Sequence, residues 1–278
     1  MHIAMHRIDD EFMATHPQRI QMARGSLQTS LAATRGRPQS LGIFGHSAQS
    51  AAAYFYLADS QSEEVASALQ LARQSLNALF ACATDTQGAT TVSLGPGEPV
   101  TYRDKPPSSS VHIGNWLDAF SLNLVFGDLE ALRTLCAIPT TLLRESPTTA
   151  TEDRYLFKEA LCAYVNRQPD LIDRIIAALK ATQADFADPI QKAVAFELTG
   201  AQLEVFLYVV TRDARFGEGM RRAVENHRRF WGRNRDSARS FQGLISLPLL
   251  GLVALAKDVG LTCDLETPYL PTCLIRDI

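Results

Sequence analysis

Apolar residues recur at helical spacing in nearly every segment of this chain, and this pattern constrains the fold more than any other feature. One stripe follows Ser60 and Glu63, which have the spacing of a capping box. Its members are Val65, Leu69, Ala72, Leu76, Leu79 and Ala83. A second stripe follows Pro169 and comprises Ile172, Ile175, Ile176 and Leu179. A third follows Pro189 and comprises Ile190, Val194, Leu198, Ala201, Val205 and Tyr208. The chain is therefore predicted to be all-α.

The densest apolar stretch, residues 114–136, is predicted to form a helical hairpin. The apolar face of its first helix comprises Ile113, Trp116, Leu117, Phe120 and Leu124, and that of its second comprises Leu129, Leu132 and Cys136. Gly127 can adopt the left-handed conformation that ends a helix, and Asp128 can cap the next helix. Because two helices cannot bury such faces alone, we expect an array of stacked helical hairpins with about ten helices.

One stretch departs from helical spacing. Thr91 and Ser93 alternate with Val92 and Leu94, and a Gly-Pro-Gly sequence follows before the chain resumes as Pro-Val-Thr-Tyr. This pattern predicts a small β-hairpin insertion at about residues 90–103. A chain of 278 residues can form one large domain or two small ones. We predict a single helical domain over residues 1–278.

Composition and terminal sequence together predict a cytosolic protein. The five cysteines are scattered and form no Cys-x-x-Cys pair, which is typical of a reduced compartment. The N-terminus lacks an apolar core of signal-peptide length. The longest apolar run, residues 244–256, is interrupted by Ser246 and Pro248 and is too short to span a bilayer. No membrane partner is expected.

No set of residues in the sequence assembles into a catalytic constellation. Residues 45–49, Gly-His-Ser-Ala-Gln, approach the nucleophile-elbow motif, but Gln49 replaces its last glycine and no strand precedes it. His2 and His6 could share a helix face, yet two ligands at a terminus are a poor zinc site. We therefore predict no catalytic residues, no metal and no cofactor. A serine hydrolase that uses Ser47 is the weakest alternative.

The strongest charge feature is the segment of residues 212–239, which holds nine arginines against four acidic residues. A nucleic-acid-binding helix would need these arginines exposed, with aromatic side chains free to stack on bases. Alternatively, His227 and Trp231 lie on a buried face and the arginines on the solvated one. The net charge of −3 favours the second interpretation. A nucleic-acid-binding helical protein remains an alternative function.

Several segments occur in the order found in one known family. They include Gly-Asn-Trp at 114–116, a His-x-x-x-Trp pattern at 227–231, the apolar run at 247–260 and Thr-Pro-Tyr-Leu-Pro at 267–271. With them the chain resembles the immunity protein 49 family of bacterial polymorphic toxin systems, over about residues 112–275. The resemblance implies a mostly α-helical, non-enzymatic protein, which binds a cognate toxin encoded nearby and blocks it in the producing cell.

A toxin-binding surface must be exposed, and two places off the apolar stripes combine charge with interface-type side chains. The acidic candidate comprises Glu152, Asp153 and Tyr155 at a helix start. The basic candidate comprises Arg228, Arg229 and Arg233 on the outer face of a helix. The two carry opposite charge, so a toxin should prefer one of them. Because nuclease toxins are often basic, the acidic candidate is favoured.

Overall fold

The computed structural model describes residues 1–275 and is mostly helical. In chain order the first elements are α1 (Asp10–Ala14), α2 (His16–Thr34), α3 (Leu41–Ala58), α4 (Glu63–Thr84), β1 (Thr90–Val92), β2 (Val100–Tyr102), α5 (Ile113–Val125), α6 (Leu129–Cys136) and α7 (Thr140–Arg144). They are followed by α8 (Glu152–Val165), α9 (Leu171–Ala181), α10 (Pro189–Ala193), a π-helical segment (Val194–Thr199), α11 (Gly200–Thr211), α12 (Phe216–Trp231), α13 (Arg235–Ala238), α14 (Phe241–Leu244) and α15 (Leu247–Asp258). Three short 3-10 turns lie at Pro38–Ser40, Ser108–Ser110 and Thr272–Leu274.

This content confirms the all-α prediction. Among residues 1–275, ten of the α-helices have eight residues or more, and β1 and β2 form the one sheet. The two strands pair antiparallel with Thr91 opposite Thr101, so the predicted β-hairpin is confirmed. The hydroxyl oxygens of Thr91 and Thr101 lie 2.8 Å apart across the hairpin. Gly95 and Gly97 in the connecting turn both have positive φ, which explains the Gly-Pro-Gly sequence there.

The chain divides into two compact units. The first unit comprises Met1–Ile8, Leu124–Cys136 and the chain from Ala150 onward, and the second comprises Asp9–Asn123 and Ala137–Thr149. This division describes how the residues pack. The prediction that the chain folds cooperatively as a single domain stays a prediction.

In the second unit, α3 packs against α4 over the predicted apolar stripe, all of which is buried. The close approach needs a glycine, because a Cβ atom at Gly45 would lie 2.9 Å from the side chain of Leu76. The predicted capping box is wrong. The N-cap of α4 is Ser62, whose hydroxyl accepts a hydrogen bond from the amide of Glu64 at 3.2 Å. The turn that precedes α4 is capped by Asp59, whose carboxylate accepts from the amide of Gln61.

The corner predicted between α5 and α6 is confirmed. Gly127 has a φ of +67°, and the carboxylate of Asp128 accepts from the amide of Ala131 at 3.0 Å. The predicted stripe of α6 is only partly right, because Leu132 is buried whereas Leu129 is 44% exposed. Helix α5 is buried on more than one face. Its buried Asn123 exchanges amide hydrogen bonds of 3.0 and 2.8 Å with Asn77 of α4, which satisfies both side chains.

In the first unit, α8 packs on α9, and α11 packs on both α12 and α15. The apolar run forms part of the core of this unit, since Leu249, Leu250 and Leu252 of α15 are buried. The N-terminal residues pair with the C-terminal tail, where the amide of Ile3 donates to the carbonyl of Glu266 at 3.0 Å. Two helical stretches, 189–211 and 241–258, are long and apolar enough to cross a bilayer by length and composition alone.

Candidate partner-binding surface

The start of α8 does not present the acidic surface that the sequence predicts. Asp153 is fully buried and Tyr155 is 5% exposed, whereas Glu152 is exposed. The reason is helical spacing, because Asp153 lies on the same stripe as the buried Phe157 and Leu161, four and eight residues later. The predicted exposure of Asp153 and Tyr155 is therefore wrong. Charge reversal at Asp153 would place a cation in the interior, where it would disturb folding first.

The outer face of α12 presents two of the three predicted arginines, and the third, Arg233, lies just beyond the end of the helix. Arg228, Arg229 and Arg233 are all exposed, with the side chain of Arg229 at 67%. The inner face is buried and comprises Phe216, Met220, Ala223, Val224, His227 and Phe230. The guanidinium carbon of Arg233 lies 3.6 Å from the centre of the Phe230 ring, which holds this arginine against the end of the helix. The predicted separation into a buried and a solvated face is confirmed at His227, Arg228 and Arg229, whereas Trp231, predicted to be buried, is only half-buried.

Carboxylates neutralise several of the other arginines in this segment. Arg222 binds Glu204 of α11 at 2.8 Å and Glu218 at 2.6 Å, and Arg221 binds Glu225 at 2.7 Å. The Arg215 guanidinium beside Asp213 lowers the pKa of that carboxyl to about 2. The basic character of residues 212–239 is therefore concentrated near the C-terminal end of α12.

Helix α12 sits close against α11 because of one glycine. A Cβ atom at Gly219 would lie 2.7 Å from two ring carbons of Tyr208, which is closer than such atoms approach. The ring of Tyr208 is fixed in turn, since its hydroxyl donates to Glu204 at 2.8 Å. The inner side of α12 is thus tightly positioned, and this placement fixes the direction in which its outer arginines point.

A buried group of titratable side chains lies under α12. The imidazole of His6 contacts the hydroxyl of Tyr269 at 2.9 Å and the carbonyl of Ala238 at 3.1 Å. His227 contacts the carbonyl of Gly243 at 3.2 Å, and its ring packs edge-on against Tyr269 at 5.0 Å between centres. Burial lowers the pKa of His6, lowers that of His227 to about 3, and raises that of Tyr269 to about 12.

This cluster has a structural role that sequence spacing did not reveal. It joins the N-terminal residues, α12 and the C-terminal tail, which lie far apart in the chain. The tail therefore packs against the inner side of α12, at His227, and the outer arginines stay exposed. The burial of Tyr269 and Leu270 shows that the tail packs on the body of this unit.

Ser47 and His46, the residues considered for a catalytic role, both lie in helix α3. Ser47 lies inside α3 and its hydroxyl donates to the carbonyl of Ile43 at 3.0 Å, so it does not have the strand-to-helix turn of a nucleophile elbow. Its neighbour His46 lies 3.8 Å from Asp118 on a partly exposed helix surface. Within residues 1–275, no group of three or more His, Cys, Asp or Glu side chains could hold a metal ion.

One exposed aromatic side chain was missed. Phe196, in the π-helical segment before α11, is 66% exposed, and Ile190 in α10 is 63% exposed. The predicted stripe placed Ile190 on the buried face, which is wrong. A π-helical turn contains one extra residue, and this residue rotates the preceding helix by about 100° relative to α11. The sequence did hold a signal, because Phe196 is a large apolar residue that lies off the stripe.

Comparison with known proteins gives one match. The family model described as Immunity protein 49 matches residues 57–274. No curated protein and no solved structure matches the chain. The match begins well before the region of about residues 112–275 on which the sequence resemblance rested, so it includes all of α4 and the β-hairpin as well.

Proposed function

The chain belongs to the immunity protein 49 family, and we propose that it binds a cognate bacterial toxin and neutralises it by stoichiometric protein–protein interaction. The family match over residues 57–274 is the observation that carries this proposal. The toxin is the product of a neighbouring gene in a polymorphic toxin system. Binding takes place in the cytoplasm of the producing cell and protects that cell from its own secreted effector.

The outer face of α12 supports the proposal as a binding surface. Its exposed arginines are Arg228 and Arg229, and Arg233 is exposed just beyond the end of the helix. Arginine is enriched among the residues that dominate binding energy at protein interfaces. The helix beneath these side chains is anchored by a buried inner face, so less conformational freedom is lost when a partner binds. At the start of α8, Glu152 remains an exposed candidate contact.

Co-expression tests this function directly. The neighbouring toxin gene is expressed in a susceptible host with and without this protein, and growth is recorded. We expect toxin alone to stop growth and co-expression to restore it. An unrelated immunity protein serves as the control. Failure of this protein to restore growth would remove the proposal.

Titration separates stoichiometric inhibition from an enzymatic mode of protection. Increasing amounts of this protein are added to a fixed amount of purified toxin, and residual toxin activity is measured. Stoichiometric binding predicts a break at an equimolar ratio. Complete protection at a small fraction of that ratio would show that this protein turns over, which would contradict inhibition by binding.

Nucleic-acid binding is the competing function for the same helix. Such binding would release counterions from phosphates, so affinity would fall steeply with salt. The ion pairs of Arg221, Arg222 and Arg229 with carboxylates leave fewer free cations for a phosphate backbone. We expect fluorescent DNA and RNA oligonucleotides to show no steeply salt-dependent binding to this protein. Strong binding that disappears on Arg228→Glu would favour the competing function.

A further inference from the structure

Phe196 is unusual because its large aromatic side chain is exposed to solvent, although it lies in an apolar helical stretch. It is two-thirds exposed, although the helix that follows it has a well-buried face at Leu203, Val205 and Phe206. The π-helical segment Val194–Thr199 supplies the reason, since it breaks the register between α10 and α11. Segments of this kind occur frequently at functional sites.

An ion pair ties this segment to the arginines of α12. Glu197, the residue after Phe196, accepts from Nε of Arg229 at 3.2 Å, and Arg229 also donates to Asn226 at 2.6 Å. Arg229 is thereby held in one orientation, with most of its side chain still in solvent. The chain neighbour of the exposed Phe196 therefore contacts Arg229 on the outer face of α12.

The exposed side chains near the C-terminal end of α12 are basic. Glu197 offsets the charge of Arg229, whereas Arg228 near the end of α12 and Arg233 just after the helix add two further positive charges. An aromatic residue that enters a pocket, surrounded by charged side chains that exclude water, is the arrangement of an interface hot spot. A basic surface attracts an acidic partner and repels a basic one.

We propose that Phe196 is the anchor with which this protein holds its toxin, and that Arg228, Arg229 and Arg233 form the charged border of the same contact surface. The toxin then offers an apolar pocket bordered by carboxylates. This inference rests on the proposed function and specifies its contact surface. It places the contact on the basic face, in contrast to the acidic site favoured by sequence alone.

Binding measurements on matched variants test the anchor. An inactive variant of the toxin encoded next door is titrated with wild-type protein and with Phe196→Ala, and Kd is measured by calorimetry. We expect Phe196→Ala to raise Kd about 30-fold or more, which is the weakening expected of a hot spot. The matched control is Ile43→Ala in α3, because Ile43 is also exposed, at 70%, but lies in the second unit.

Charge variants test the border. Arg233→Glu should raise Kd by about tenfold or more at low salt, and the difference should shrink as salt screens the charges. The control is Arg103→Glu, an exposed arginine of the second unit, which should leave Kd within about twofold. Circular dichroism and thermal unfolding of every variant confirm that an exposed side chain was replaced without unfolding.

The outcomes separate this inference from the function on which it rests. If wild-type protein does not bind the toxin, the proposed function fails. If wild-type protein binds and Phe196→Ala binds within twofold of it, the function stands and the anchor is wrong. Vesicles of phosphatidylcholine and phosphatidylglycerol test a lipid surface as the alternative occupant. Sedimentation of wild-type protein with these vesicles, lost in Phe196→Ala, would also overturn the anchor.

Discussion

The start of α8 and the outer face of α12 look alike in sequence, yet one is interior and the other is surface. Both combine charged residues with aromatic ones, and both lie near the end of a helix. Asp153 of α8 shares its stripe with Phe157 and Leu161 and is buried with them, whereas Arg228 and Arg229 of α12 lie outside the buried stripe and are exposed. The comparison teaches that helical position, and not charge, decides which side chains a partner can reach.

The carboxylate of Asp153 is unusual because it is a charged group in the interior. Neither oxygen of Asp153 has a hydrogen-bond partner among residues 1–275. A buried carboxylate without such partners is costly, so charge normally argues for exposure. At α8 the apolar contacts of the same helix face outweigh that preference. Substitutions in both regions can test how different the two helix faces are.

The largest effect is expected at Tyr155. Truncation by Tyr155→Ala removes a buried aromatic side chain and should lower the free energy of unfolding by about 3–5 kcal/mol. Glu152→Ala, three residues earlier in the same helix, removes an exposed side chain and should change it by less than about 0.5 kcal/mol. Urea unfolding of both variants provides the measurement. Similar small effects would mean that the start of α8 is open to solvent.

The second-largest effect is a loss of stability in acid, which depends on His227 on the inner face of α12. Because burial lowers the pKa of His227 from 6.5 to about 3, the unfolded chain takes up a proton before the folded one does. The stabilisation is complete above pH 6.5 and is lost as the pH falls toward 3. Between pH 7.5 and pH 5 this residue alone should lower the free energy of unfolding by about 2 kcal/mol.

The control for the acid effect is His227→Phe, which keeps a ring but cannot be protonated. Its own stability at pH 7.5 does not matter, because the comparison is between the two pH values for each protein. The variant should show a pH dependence smaller by about 2 kcal/mol than the wild type. Equal dependence in both proteins would show that His227 is protonated in the folded state.

Two glycines of α12 should respond in opposite directions. Gly219→Ala places a Cβ atom 2.7 Å from the ring of Tyr208 and should cost about 1–2 kcal/mol, since that ring is held by Glu204. Gly217→Ala meets no atom within 4 Å and should stabilise the helix by about 0.5–1 kcal/mol. Thermal unfolding distinguishes the two. Destabilisation by both would indicate that α12 tolerates no added side chain near its start.

The smallest effect is expected on the outer face. Arg228 is exposed, so Arg228→Ala should change the free energy of unfolding by less than about 0.5 kcal/mol. The same substitution should weaken toxin binding, mainly through a slower association rate that depends on salt. Stopped-flow association at two salt concentrations measures this. A large loss of stability would place Arg228 in the fold and not at the interface.

Much of the architecture could be predicted from the sequence. The stripe of α4, the corner at Gly127 and the β-hairpin near residues 90–103 depend on local spacing and turn chemistry, and all three are confirmed. The predicted exposure of Arg228 and Arg229 is also confirmed, because a long amphipathic helix with one apolar face has an unambiguous outer side, and Arg233, which follows that helix, is exposed as well. The resemblance to the immunity protein 49 family is confirmed by the family match.

The errors occurred where several elements enclose one helix or where helical register changes. Asp153 and Tyr155 lie in a helix that is buried on more than one side, and a single helical stripe does not predict that. Phe196 and Ile190 lie before a π-helical turn, and a constant spacing of 3.6 residues cannot represent the extra residue. Their contribution to binding stays a prediction.

By itself the sequence determined the helical class, the single β-hairpin, the family and the amphipathic character of α12, because each of these depends on residues close together in the chain. Tertiary structure alone decided which candidate surface reaches solvent. It also brought His6, His227 and Tyr269 together from distant parts of the chain. The physical reason is that burial depends on every element packed around a side chain, and those neighbours are far away in the sequence.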